Sequence, residues 1–203
     1  MQKVRVLIVC ATTGLLGMVA TAQQSPATTA AKPAAPRPAG GAPARAVATV
    51  QDVMLGVIDP ASKLVFKAVS SEVTPTGTVE TAPKNDREWA VVRRNAALMV
   101  EGANLLMMPG RPMAVALFAN EHADGELSPA EIEVRVAKER TAWNKFVVDY
   151  RDAALLAVKA ADAKRTEDFA PANDAVDTAC ENCHLKFWYP DQDELLKNAP
   201  KAK

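Results

Sequence analysis

The chain has little of several features that would by themselves point to a fold or a function. Of its 203 residues only 5% are aromatic, 9 are glycine and 3 are cysteine, and 24 Lys and Arg residues balance 24 Asp and Glu residues. Three cysteines cannot build a disulfide framework, and the lack of excess positive charge argues against a nucleic-acid partner. Because runs of Tyr, Ile or Thr are also few, the composition favours an all-α fold over an all-β one.

The first 22 residues have the order of a secretory signal peptide. Lys3 and Arg5 precede an apolar run that extends to about Val19, and Ala20-Thr21-Ala22 provides a small-residue cleavage site. We therefore predict cleavage after Ala22 and a periplasmic location. The alternative is an uncleaved membrane anchor, because residues 6–22 just reach the length of about 17 residues that a spanning helix needs.

Residues 23–47 are rich in Ala and Pro and offer no apolar face for a core, so we expect a disordered tail. Loss of the signal peptide leaves 22 basic against 24 acidic residues, and removal of the three bases of the tail leaves 19 against 24. The predicted globular domain, residues 48–190, is therefore mildly acidic. Residues 191–203 are predicted to form a short C-terminal tail.

Four segments of the globular part have the apolar spacing of amphipathic helices. The first runs from Val53 to Ala68, where Pro60 predicts a kink, and residues 70–84 contain two prolines and a glycine that predict a loop. A second helix is predicted from a capping box at Asn85 and Glu88 to Pro109-Gly110. Its apolar face comprises six residues: Trp89, Val92, Ala96, Met99, Ala103 and Leu106.

The third helix is predicted to begin at Ser128, because Pro129 and Glu131 complete a capping signal, and to continue to about Ala163. Its apolar line comprises eight residues: Ile132, Val136, Trp143, Phe146, Val147, Tyr150, Ala154 and Val158. The fourth helix is predicted from about Pro171 to Pro190. Four amphipathic helices with little sheet between them predict an antiparallel four-helix bundle.

The fourth helix carries the motif Cys180-Glu181-Asn182-Cys183-His184, which matches the C-x-x-C-H attachment signature of c-type haem. Residues three and four apart share one face of a helix, so both thiols can reach the vinyl groups of one porphyrin while His184 reaches the iron. We therefore predict one covalent haem c with Cys180, Cys183 and His184 as its binding residues. The signal peptide agrees with this prediction, since haem thioethers are made after export.

Two other readings of the cysteine pair remain open. The pair could be half of a zinc site with His122 as a further ligand, although structural zinc sites usually join two separated ligand couples. It could also be a thioredoxin-like redox pair, but such a pair needs a strand-to-helix turn, whereas Cys180 and Cys183 lie inside a predicted helix.

A single haem motif in the last of four helices resembles the cytochrome c prime family, the class II c-type cytochromes. The resemblance covers about residues 48–190. It is carried by CENCHLKFWYP at 180–190, NLLMMPG at 104–110 and DPAS at 59–62. The chain departs from the shorter members of that family in its Ala- and Pro-rich tail and in the long segment from Arg111 to Lys138.

The resemblance implies that the residue facing the iron opposite His184 decides the function. Low-spin relatives place a methionine of the first helix there, and Met54 is the residue at about that place, although a Met on an apolar stripe can equally be core. With Met54 on iron the protein would carry single electrons between redox partner proteins. With Met54 off iron the pocket would bind nitric oxide or carbon monoxide. No enzymatic activity is expected, and a homodimer is plausible from the resemblance.

Several other residues are weaker candidates. Residues 120–131 match part of a calcium loop but have Asn120 and His122 at the first two ligand positions, so we expect a turn before a capped helix. Four further methionines are less suited to ligate iron than Met54: Met99, Met107, Met108 and Met113. Four arginines could face the haem propionates: Arg93, Arg94, Arg111 and Arg151.

Overall fold

The structure is a computed structural model that describes residues 44–192. This part of the chain is mainly helical, with six α-helices and one β-hairpin among the described residues, so the predicted all-α class is confirmed in outline. The predicted signal peptide (1–22), most of the predicted N-terminal tail (23–47) and most of the predicted C-terminal tail (191–203) lie outside the described residues. Within residues 44–192, no helix has the length and apolar character needed to cross a membrane.

The first predicted helix consists of three helical pieces that follow one another without a break. Helix α1 covers Val50–Val53, a π-helical turn covers Met54–Ile58, and α2 covers Asp59–Ala68. Pro60 has no backbone N–H and its ring crowds the preceding turn of a regular helix. The chain accommodates this proline with a π turn, which the sequence pattern did not indicate.

Residues 70–81 form a β-hairpin, so the prediction of a loop there is wrong. Strand β1 (Ser70–Thr74) pairs antiparallel with β2 (Gly77–Thr81), and both strands are exposed or nearly so. The strands are rich in Thr and Val, whose β-branched side chains favour extended backbone. Pro75 lies in the two-residue turn between the strands, where no hydrogen bond of the ladder is required of it.

Helix α3 (Asp86–Leu106) confirms the second predicted helix. The side chain of Asn85 accepts a hydrogen bond from the Glu88 N–H at 3.0 Å. The Glu88 carboxylate accepts from the Lys84 N–H instead of the Asn85 N–H, so the capping box is half formed. All six residues of the predicted apolar face are buried: Trp89, Val92, Ala96, Met99, Ala103 and Leu106.

The third predicted helix is divided in two. Helix α4 (Pro129–Lys138) starts with the predicted capping box of Ser128 and Glu131, and α5 (Arg140–Ala163) follows after a break at Glu139. Glu139 has φ −117° and ψ 38°, outside the helical region, and its carboxylate forms an ion pair with the ammonium group of Lys186 at 2.6 Å. A single unbroken helix was therefore the wrong prediction, and neither proline nor glycine marks the break.

Helix α6 (Phe169–Phe187) begins two residues before the predicted start at Pro171, after a 3₁₀ turn over Thr166–Asp168. Helix α5 packs against both α3 and α6, and α2 packs against α3. The Trp143 and Phe187 rings join α5 to α6 edge to face, with their centroids 5.4 Å apart. This packing surrounds the face of α6 that carries the cysteine motif.

Candidate functional site

One cavity brings together the four predicted site residues. It has a volume of about 40 Å³, or about 450 Å³ when the open space at its mouth and between its side chains is counted, and it lies between the first helical segment, α3, α5 and α6. Its wall is almost entirely apolar and consists of thirteen residues: Val50, Met54, Ile58, Leu106, Trp143, Phe146, Val147, Tyr150, Ala179, Cys180, Cys183, His184 and Trp188.

Helix α6 presents the motif to this cavity through simple helical spacing. Cys180, Cys183 and His184 are all partly buried and all line the cavity, whereas Glu181 and Asn182 between them are exposed. Both cysteines are free thiols. The structure therefore places two thiols and one imidazole on the same wall, as the spacing predicts.

The two thiols have the opposite electrostatic character from a reactive redox pair. Burial, with the nearby Asp177 and Glu181 carboxylates, raises the pKa of Cys180 to about 11. Burial, with the neighbouring Cys180, raises the pKa of Cys183 to about 12. Thioredoxin-like chemistry depends on a thiolate with a lowered pKa, so this environment gives no support to that reading.

His184 lies on the cavity wall beside two aromatic rings. The Trp188 and Tyr189 rings have centroids 5.7 Å and 6.0 Å from that of His184. Burial lowers the pKa of the imidazole, an effect that the carboxylates of Glu181 and Glu126 partly oppose. Burial therefore favours the neutral form of the ring, which is the form that can ligate a metal.

Met54 reaches the same cavity from the first helical segment. It is the first residue of the π turn and is partly buried. The four other candidate methionines are absent from the described cavity wall: Met99 and Met113 lie in the core, and Met107 and Met108 lie just beyond the end of α3. The thioether of Met54 and the imidazole of His184 are thus contributed by different helices to one apolar space.

Tyr150 is a wall residue that the sequence reasoning counted only as part of an apolar line. Its side chain is 6% exposed, and its hydroxyl is buried without a hydrogen-bond partner among the described residues. Burial raises the pKa of this hydroxyl above its usual range. Trp143, Phe146 and Tyr150 follow one another on α5 at steps of three and four residues. This aromatic stripe was the sequence feature that could have indicated Tyr150 as a cavity residue.

The four candidate arginines do not line the cavity described here. Arg93 pairs with Asp162 at 2.8 Å, and Arg151 pairs with its neighbour Asp152. Arg94 is exposed. No described contact therefore supports a role for these three side chains at the predicted site.

Arg111 is buried and has a structural role. Its guanidinium donates hydrogen bonds to the carbonyls of Leu105 and Ala48 and contacts the sulfur of Met108. The last carbonyls of a helix have no partner within the helix and carry partial negative charge. Arg111 thus caps the C-terminus of α3 and ties it to the chain just before α1.

We expect Arg111→Ala to lower the free energy of unfolding by about 2 kcal/mol, because it removes a buried side chain and its charged hydrogen bonds to the Leu105 and Ala48 carbonyls. The matched control is Arg94→Ala, which removes an exposed guanidinium and should change stability by no more than about 0.5 kcal/mol. Denaturant unfolding measures both variants. Equal stability of the two would contradict the capping role.

Residues 120–131 form a turn that leads into α4, as predicted. The Glu131 carboxylate accepts hydrogen bonds from the N–H and the hydroxyl of Ser128, so it serves the helix cap. His122 is exposed, with its Nδ1 3.0 Å from the Ala123 carbonyl, and does not join the cysteines on the cavity wall. Within residues 44–192, no group of three or more His, Cys, Asp or Glu side chains is placed to hold a metal ion.

Comparisons of the chain with protein-family models, with curated proteins and with solved structures found no match.

Proposed function

We propose that this protein is an exported monohaem c-type cytochrome of the cytochrome c prime type that carries single electrons between periplasmic redox partners. The observation that carries the proposal is the placement of Cys180, Cys183, His184 and Met54 on one apolar cavity. Two thiols and an imidazole at haem-attachment spacing on one wall, with a thioether on another helix, form a donor set suited to haem c. No enzymatic role is part of the proposal.

The helix arrangement supports a four-helix bundle as the finer fold. The helical elements group into four segments in chain order: α1 to α2 with the π turn, α3, α4 with α5, and α6. Helix α5 packs on both α3 and α6, and the first segment packs on α3. In such bundles, cofactor sites are built in the core from side chains of facing helices.

The residues present fit a haem in chemistry as well as in number. The thiols of Cys180 and Cys183 would form the thioethers by addition to the vinyl groups, and the imidazole of His184 and the sulfur of Met54 would be the two protein ligands of the iron. Apolar side chains such as Val147 and Leu106 would exclude water from this pocket. When bound, the iron supplies a one-electron couple, and a Met ligand raises its potential.

The unpartnered hydroxyl of Tyr150 also fits a bound group, because buried polar atoms in folded proteins nearly always have a partner. We expect Tyr150→Phe to lower the free energy of unfolding of the holoprotein by about 1 kcal/mol, as loss of a satisfied hydrogen bond does. Tyr189→Phe is the matched control, since this tyrosine is less buried and its hydroxyl makes only a 3.4 Å bond to the exposed Glu181. Equal or greater stability of Tyr150→Phe would show that the hydroxyl has no partner in the holoprotein either.

A gas-binding protein is the second candidate, because the wall around Met54 is apolar and Val50 and Ile58 beside it offer no other ligand. In that case Met54 would be a wall of the pocket and not a ligand. Optical spectra of the purified protein in both oxidation states, with and without carbon monoxide, separate the two functions. A low-spin spectrum that carbon monoxide barely alters supports electron transfer, and a high-spin spectrum that responds readily supports gas binding.

A further inference from the structure

Gly102 lies on the face of α3 that meets the first helical segment, and it is buried. A Cβ atom built on Gly102 would lie 2.6 Å from Cγ1 and 3.0 Å from Cδ1 of Ile58. Carbon atoms that are not bonded prefer a separation of about 3.5 to 4.0 Å. The absence of a side chain at Gly102 therefore provides the space that Ile58 occupies.

Ile58 is the last residue of the π turn that begins at Met54. The turn is closed by a hydrogen bond from the Asp59 N–H to the Met54 carbonyl, one residue longer than the closure of an α-helical turn. Ile58 is the more deeply buried of two neighbouring residues: Ile58 is 4% exposed, whereas Val57 is only partly buried. Both lie three or four residues from Met54 and from Ala61, so helical spacing alone does not choose between them, and the space at Gly102 receives Ile58.

The first and the last residue of the π turn both line the cavity. Val50, Met54 and Ile58 all do so, at successive intervals of four residues. Intervals of four drift around a regular α-helix, which has 3.6 residues per turn, but the wider π turn compensates for this drift. The position of Met54 in the cavity wall is thus linked to the seating of Ile58 against Gly102.

We infer that Gly102 is a positioning residue for Met54. Gly102 leaves space for the Ile58 side chain, and Ile58 in that space stabilises the π turn that directs Met54 toward the cavity. The inference rests on the proposed function, in which the thioether of Met54 ligates iron opposite His184. A methyl group at Gly102 would displace Ile58 and with it the π turn. Met54 would then move relative to His184, although neither residue is changed.

The test compares Gly102→Ala with Gly56→Ala in the full-length holoprotein, each purified after export and haem attachment. Gly56 lies inside the π turn, and a Cβ atom there would meet nothing within 4 Å, so it is the matched control. The readouts are the far-red band of ferric iron with a Met ligand and the association rate of carbon monoxide with the reduced protein. For Gly102→Ala we expect loss of most of the band and a rate at least about tenfold higher, since overpacking of this kind shifts equilibria by that order.

A second variant, Ile58→Ala, removes the side chain that occupies the space at Gly102 and adds no methyl group there. We expect it also to lose most of the band, including in the case where Gly102→Ala does not yield folded protein. A wild-type band in Gly102→Ala, or in a folded Ile58→Ala, overturns the inference and leaves the proposed function intact. If the wild type has no band, the assignment of Met54 as an iron ligand fails. The carbon monoxide rate then tests the positioning role of Gly102 by itself. An unchanged rate in Gly102→Ala overturns that role, and a rate changed about tenfold supports it.

Discussion

Replacement of His184 by alanine is expected to abolish the normal haem spectrum and to lower the yield of mature protein severely. The thioethers at Cys180 and Cys183 could still form, but the iron would lose the only imidazole that lines the described cavity wall. The measurement is the optical spectrum and the haem content per polypeptide of the purified variant. The haem content should fall far below the wild-type value, and the normal haem spectrum should be absent.

His122→Ala is the matched control for this prediction, because the chain has only 2 histidines. His122 is exposed and is absent from the described cavity wall, so its loss should leave spectrum and yield unchanged. If His184→Ala has a normal spectrum, or if His122→Ala loses it, the assignment of His184 as the iron ligand is wrong.

Replacement of Met54 by leucine should produce the second large effect. The ferric protein should lose the weak far-red band that a Met ligand gives, become high-spin and, once reduced, bind carbon monoxide readily. The substitution nearly conserves volume, so packing alone should account for less than about 1.5 kcal/mol of lost stability. The change in spectrum should therefore occur in a protein that is still folded.

Met99→Leu provides the control for the general effect of losing a methionine. Met99 is fully buried in the core and does not line the described cavity, so the spectrum of the Met99→Leu protein should remain that of the wild type. A Met54→Leu protein with the wild-type spectrum would show that Met54 is only a wall residue. The gas-binding function would then be favoured over electron transfer.

The parts of the fold that could be predicted were those determined by local patterns. The spacing of Trp89, Val92 and Leu106 on α3 predicted its buried face, and Ser128 with Glu131 predicted the start of α4. Helical periodicity and capping are properties of a few neighbouring residues, which a sequence displays directly.

The parts that could not be predicted depend on tertiary contacts or on competing local signals. The break at Glu139 has no proline or glycine, and its carboxylate pairs with the distant Lys186. The π turn depends on Gly102, more than 40 residues from Ile58, which provides space for that side chain. In the hairpin, Pro75 and Gly77 suggested a loop, but the β-branched residues on either side form strands.

The candidate site divides in the same way. Cys180, Cys183 and His184 form a contiguous motif on one helix, so their common wall followed from the spacing alone. Met54 needed a resemblance to a family to be singled out, because its apolar stripe suits a core residue equally well. The unpartnered hydroxyl of Tyr150 became visible only when the surrounding helices were in place.

The most direct test of the central proposal is the intact mass of the protein after acid and organic extraction, which removes haem that is not covalently bound. The protein should be purified from a periplasm with haem-attachment machinery, and a variant with both Cys180 and Cys183 replaced by alanine should be measured beside it. The account predicts the mass of the mature polypeptide plus one haem for the wild type and the bare polypeptide mass for the variant. A wild-type protein that has the bare polypeptide mass, or that holds zinc at these cysteines, would contradict the account.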